Sequence, residues 1–132
     1  MNDAINAAVK WWRDMLRDAK QDAGDSHLNL YLGAMTAIQP FLTDQQLDDF
    51  CNELTLGLET RLRAAEPGLR PEAHLDVDYS PEGLLYAAAK KGRIGSMYFP
   101  CKTHMRVHAN HVEVACGYGQ PYKTIYRKAA SA

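Results

Sequence analysis

The spacing of apolar residues changes once along this chain, near Pro71, and this change constrains the fold more than any other feature. Before it, apolar residues recur every three or four positions, which is typical of amphipathic helices. After it, they alternate with polar residues, which is typical of half-buried strands. The order predicts an α+β protein with helices packed on one face of a small, mainly antiparallel sheet.

The first half of the chain predicts three helices, at residues 3–20, 27–39 and 43–65. The third has the clearest start signal, because Thr43 and Gln46 form a capping-box pattern. In that pattern the two side chains satisfy backbone N–H groups that would otherwise lack partners in the first turn.

The second half predicts a strand at residues 74–79, then a short helix with Ser80 as its N-cap and Pro81 as its first residue, ending at Gly92. Three further strands are expected at residues 102–109, 111–117 and 122–127. The fold class is therefore three N-terminal helices, a strand, a short helix and a three-stranded antiparallel meander. Together the strands form a four-stranded sheet.

A single domain is expected, because 132 residues can bury one core and no linker divides the chain. Its helical half covers residues 1–66 and its strand-rich half covers residues 73–128. The net charge of −1 argues against a general nucleic-acid or membrane-surface binder. The start of the sequence lacks a signal peptide's apolar block, and the odd count of three cysteines favours a reducing cytoplasm.

The stretch "CKTHMRVHANHVEVAC", residues 101–116, holds three of the five histidines and two of the three cysteines. A two-residue turn at residues 109–110 predicts a hairpin in which Arg106 lies opposite Glu113, as a surface ion pair worth about 0.5 kcal/mol. Alternation then assigns an apolar face to Thr103, Met105, Val107, Val112, Val114 and Cys116. It assigns a polar face to His104, Arg106, His108, His111 and Glu113.

The polar face leaves a metal-binding alternative open, although no metal ligand is assigned. If a metal is bound, the candidate ligands are His104, His108, His111 and Glu113, because imidazoles with one carboxylate are typical of catalytic zinc sites. An exposed hairpin face lacks the shelter and supporting hydrogen bonds of most such sites. Because the imidazoles of His108 and His111 face each other, the two rings are also predicted to resist being protonated together at about pH 6.

No catalytic and no cofactor-binding residue is assigned, and a non-enzymatic protein is expected. Cys101 and His104 have opposite parity on a strand, which disfavours a nucleophilic pair. Asp76 and Asp78 have the spacing of the solvent side of an edge strand. The glycines of "GYGQPY" lack the strand and helix context of a phosphate-binding loop.

Three segments of the sequence together resemble one group of proteins. They are the helix with Trp11 and Trp12, "LDVDYSPEGLLYAAAKKGRI" at residues 75–94, and "FPCKTHM" with the following "GYGQPY". They look like small proteins encoded by phages and integrated prophages. The resemblance implies an accessory protein of a mobile element in the bacterial cytoplasm, which binds a host protein, with inhibition of a bacterial defence system in the manner of anti-CRISPR proteins as one role left open. It carries over no site residues.

The order of elements is also similar to that of the anti-proliferative BTG/Tob domain, which implies a protein-binding module. The prediction is therefore a protein–protein interaction protein, with self-association into a homodimer left open. Candidate contact residues are Trp11, Tyr98, Arg106, His108, His111, Tyr118 and Tyr122. A nucleic-acid or nucleotide binder is the remaining alternative, using Arg106, Lys123, Arg127 and Lys128 with Tyr98, Tyr118, Tyr122 and Tyr126 as stacking platforms.

Overall fold

The helices and strands of the protein were located in a computed structural model, which describes residues 2–18, 41–64, 72–117 and 119–129. The elements are α1 (Asn2–Asp18), α2 (Asp44–Arg63), β1 (Glu72–Val77), α3 (Gly83–Gly92), a 3-10 turn (Ser96–Tyr98), β2 (Thr103–His108), β3 (His111–Cys116) and β4 (Lys123–Arg127). The predicted helix at residues 27–39 lies outside the described residues. No described helix has the length and hydropathy needed to cross a membrane.

The four strands form one sheet in the order β1-β2-β3-β4, and every neighbouring pair is antiparallel. The predicted hairpin register is confirmed, since Arg106 lies opposite Glu113 and Val107 lies opposite Val112. On the other side of β2, β1 places Asp76 opposite His104. The α+β class, the three-stranded antiparallel meander and the four-stranded sheet agree with the sequence prediction.

The core lies between the helices and one face of this sheet. It contains Trp12 of α1, Phe50 of α2, Leu75 of β1 and Met105 of β2, all with no exposed surface. Fully burying a side chain of this size stabilises the fold by roughly 1.5–3 kcal/mol, so the alternation in the strands is enough to fix which face carries the helices.

The start of α2 and the end of α3 are joined by one side chain. Gln46 completes the predicted capping box, because its Oε1 accepts from the Thr43 N–H at 3.0 Å. Its Nε2 donates to the Arg93 carbonyl oxygen at 3.1 Å. Gly92 allows this approach, since a Cβ placed on it would lie 2.7 Å from the Gln46 carbonyl oxygen.

Two predicted boundaries around β1 and α3 are wrong. The strand ends at Val77, so Tyr79 is 75% exposed instead of lying on the buried face. The helix begins at Gly83 with Glu82 as its N-cap, and Pro81 forms an isolated bridge with Val77. The chain turns back sharply here, because the Glu82 N–H donates to the Asp76 carbonyl oxygen at 3.0 Å.

The sheet departs from simple alternation at its far end. The register between β3 and β4 shifts after Val112, which lies opposite Tyr126, whereas Glu113 lies opposite Thr124. Ile125 is the extra residue of this β-bulge. Cys116, which the alternation places in the core, is instead exposed, because β3 ends there and Gly117 turns the chain away with a φ of 97°.

Candidate functional site

The side of the sheet opposite the helices carries the polar side chains of β1, β2 and β3. We call this surface the histidine face. It comprises Glu72, His74, Asp76, His104, Arg106, His108, His111 and Glu113. Strand alternation places them there, and their mutual contacts hold most of them in a half-buried state.

His108 and His111 form a stacked pair at the hairpin end of this face. Their ring centroids lie 3.9 Å apart with an angle of 21° between the ring planes. Burial lowers the pKa of His108, and the neighbouring His111 lowers it further. Both causes disfavour a second positive charge, as the sequence predicts for facing imidazoles.

Carboxylates flank the stacked pair on both sides. Nε2 of His111 lies 3.2 Å from Oε1 of Glu113, and Nε2 of His108 lies 3.5 Å from Oε1 of Glu72. Candidate ligand atoms of His108, His111 and Glu113 all lie within 4.8 Å of one another. The structure therefore brings together three of the four conditional metal ligands.

The fourth conditional ligand, His104, lies apart from this group. Its Nδ1 lies 3.0 Å from Oδ1 of Asp76, its cross-strand neighbour on β1. Asp78, which follows Asp76 by two residues, forms an ion pair with Lys102. Each aspartate thus has a cationic or imidazole partner, and the two do not act as a pair of adjacent acids.

Arg106 occupies the centre of the histidine face. Its guanidinium lies 3.9 Å from the centroid of the Tyr122 ring, a cation–π arrangement. The expected ion pair with Glu113 is wrong. Arg106 and Glu113, both among the described residues, lie opposite each other in register but form no ion pair. Glu113 contacts His111 instead.

The predicted contact residues do not form one surface. Arg106, His108 and His111 belong to the histidine face and Tyr122 packs against it through Arg106, whereas Trp11 of α1 lies on the helix side of the sheet. Tyr98 is half-buried in the 3-10 turn and packs against the core. Tyr118 lies outside the described residues.

Trp11 lines a groove that the sequence does not reveal. The groove has a volume of about 490 Å³, and Met15, Cys116, Lys123 and Ile125 are among its other lining residues. Cys116 is exposed as a whole residue, yet partial burial raises the pKa of its thiol, and Lys123 lowers that pKa in part. Trp11 and Met15 come from α1, Cys116 ends β3, and Lys123 and Ile125 belong to β4. The groove therefore depends on packing between distant segments, which no local sequence pattern indicates.

The geometry disfavours two of the alternatives, a nucleophilic Cys101–His104 pair and a nucleic-acid-binding surface. Among the described residues, Cys101 is exposed in a turn and forms no hydrogen bond with His104, whose ring contacts Asp76. The residues predicted to bind nucleic acid lie on both faces of the sheet and do not form one surface. Arg127 lies opposite His111 on the polar side, whereas Tyr126 lies opposite Val112 and packs against the core.

The fold has a known counterpart. No known protein family matches the chain, and no curated protein matches it significantly. Its architecture is similar to the BTG/Tob class of domains. One matching structure is the C. elegans FOG-3 BTG/Tob domain, with a TM-score of 0.51 and 10% sequence identity, and the match covers 74% of this chain and 85% of that chain. At this identity the likeness establishes the fold alone.

Proposed function

We propose that the chain is a non-enzymatic accessory protein of phage or prophage origin that acts by binding a host protein. The observation that carries this proposal is the histidine face, a sheet surface left uncovered by the described helices. Its polar and aromatic side chains are held in place by one another. A surface of fixed charged and aromatic groups can bind a protein with little loss of side-chain entropy.

Arg106 is the expected centre of the contact. Its guanidinium is positioned over Tyr122. Arg and Tyr are among the residues enriched at the energetic centres of protein interfaces. His108 and His111 extend the same surface towards the hairpin turn, and their exposed side-chain fractions are 18% and 30%.

The more specific function that we propose is inhibition of a bacterial defence system, in the manner of anti-CRISPR proteins. The resemblance of the sequence to phage and prophage proteins supports it. The order of elements shared with BTG/Tob domains supports the broader protein-binding role.

A capture experiment tests the binding role. The tagged wild-type protein, Arg106→Glu and Lys91→Glu are used as baits in lysate of a bacterial host. Lys91 is an exposed lysine of α3, away from the histidine face, and serves as the charge-reversal control. Arg106→Glu should reduce recovery of the partner at least about tenfold, as expected for an interface hot spot, with Lys91→Glu unchanged. Equal recovery with all three baits, or no specific partner, contradicts the proposal.

A plaque assay tests the inhibitory role separately. Wild-type protein is expressed in a host with an active CRISPR system that targets the infecting phage. Plating efficiency should rise with the wild type and not with Arg106→Glu. An unchanged plating efficiency in the presence of a captured partner rejects defence inhibition against that system while leaving protein binding in place.

A further inference from the structure

The hairpin end of the histidine face contains a group of side chains that suits a cation. It consists of His108, His111 and Glu113, which the turn at residues 109–110 brings onto one surface. We propose that these three residues chelate one divalent transition-metal ion. The proposal does not depend on the existence of a host partner.

The distances between ligand atoms are close to those of a tetrahedral site. Two ligands at roughly 2.0–2.1 Å from a zinc ion lie about 3.3 Å from each other. The His111 Nε2 and Glu113 Oε1 atoms are already 3.2 Å apart. All three candidate ligand atoms lie within 4.8 Å of one another. Metal binding requires the rings of His108 and His111 to turn out of their stacked arrangement, so that a nitrogen of each points at the same ion.

The donor types indicate the class of metal. Two imidazoles with one carboxylate suit Zn²⁺, Ni²⁺ and Cu²⁺, whereas Mg²⁺ and Ca²⁺ require mainly oxygen ligands. Three protein ligands leave at least one coordination position of a tetrahedral ion open, to be taken by water or by a donor from another molecule.

Glu72 supplies a further carboxylate beside the group. Oε1 of Glu72 lies 3.5 Å from His108 Nε2 and 3.4 Å from His74 Nε2, on the β1 side of the group. A carboxylate beside a ligand imidazole orients the ring and favours a bound cation. The exposed side-chain fractions of 18%, 30% and 25% for His108, His111 and Glu113 show that an ion can reach the site from solvent.

Calorimetric titration of tag-free, chelator-stripped protein with ZnCl₂ and NiCl₂ tests the site. One equivalent of metal should bind, and His108→Ala, His111→Ala and Glu113→Gln should each weaken binding at least about tenfold. His104→Ala is the matched control, because His104 lies on the same face but outside the group. It should bind as the wild type does, and MgCl₂ should produce no binding heat.

NMR of the histidine rings provides an independent readout. Zinc should shift the ring resonances of His108 and His111 and leave those of His104 unchanged. Circular dichroism of each variant checks that the fold is retained, and Glu113→Gln preserves side-chain shape if an alanine variant does not fold. Sub-stoichiometric binding, or a loss in His104→Ala as large as that in His111→Ala, overturns the proposal.

Discussion

Substitution of Gly92 by alanine tests the close approach of α2 and α3. Alanine inside a helix is usually more stable than glycine by up to about 1 kcal/mol. At Gly92 the sign should reverse, because the added Cβ would lie 2.7 Å from the Gln46 carbonyl oxygen, 3.2 Å from Phe50 Cβ and 3.3 Å from Ile94 Cδ1. The first neighbour is helical backbone and cannot rotate away.

The expected magnitude follows from these opposing effects. Overpacking of this kind typically costs about 1–3 kcal/mol, and the helix preference of alanine offsets up to about 1 kcal/mol. Gly92→Ala should therefore lower the free energy of unfolding by about 1–2 kcal/mol. Gly57→Ala is the matched control, since its Cβ would meet only the Leu84 side chain, at 3.0 Å. We expect it to be neutral or to stabilise by up to about 1 kcal/mol.

Urea unfolding followed by circular dichroism measures both changes, with the midpoint compared at an unchanged slope. In thermal unfolding, each kcal/mol should appear as a shift of about 4 °C for a domain of this size. A Gly92→Ala variant as stable as the wild type, or a Gly57→Ala variant destabilised by the same amount, would refute the packing argument.

Three other substitutions test the cap, the stacked histidines and the groove. Thr43→Ala should lower the free energy of unfolding, measured in urea, by about 1 kcal/mol, because α2 loses its N-cap oxygen. Thr60→Ala is its control and should change this free energy very little, since the Thr60 hydroxyl only donates back to the Leu56 carbonyl oxygen within the helix. Burial, His111 and Arg106 lower the pKa of His108, and Glu72 and Glu113 offset this only in part. The unfolded state therefore binds a proton at this residue more readily than the folded state does. Metal-free wild type should therefore lose more stability than His108→Gln as the pH falls below about 6.5, and parallel curves would contradict this. The raised pKa of the Cys116 thiol should move its alkylation profile above that of a free cysteine, measured with Cys51 and Cys101 replaced by serine. Lys123→Gln should move it further up, and a downward shift would show that Lys123 does not act on the thiol.

The hairpin was predictable because two independent signals agree on it. Strict alternation defines a core face and a polar face, and a turn of two residues leaves one register that keeps Val107 opposite Val112. The stacking of His108 on His111 follows directly from that register. The fold class followed in the same way from the change of apolar period near Pro71.

The contacts that shape the candidate site depend on pairings between distant segments. Glu72 reaches His108 only because β1 joins β2 in the observed register, which the sequence does not specify. Tyr122 covers Arg106 only because β4 returns along β3. The predicted start of α3 is wrong for a local reason. Proline suits a first helical turn, but Pro81 is equally suited to the bridge that it forms with Val77.

The bulge in β4 makes the length of this strand as important as its composition. Tyr122 and Tyr126 are four residues apart and would share a face of a regular strand, but the extra residue places Tyr126 against the core while Tyr122 stays beneath Arg106. If β4 kept its present length but paired regularly with β3, Tyr126 and Arg127 would exchange faces, and a guanidinium would be directed towards the core. Deleting Ile125 would remove the bulge and keep Tyr126 opposite Val112, so β4 should tolerate the loss of this residue but not regular pairing at its present length.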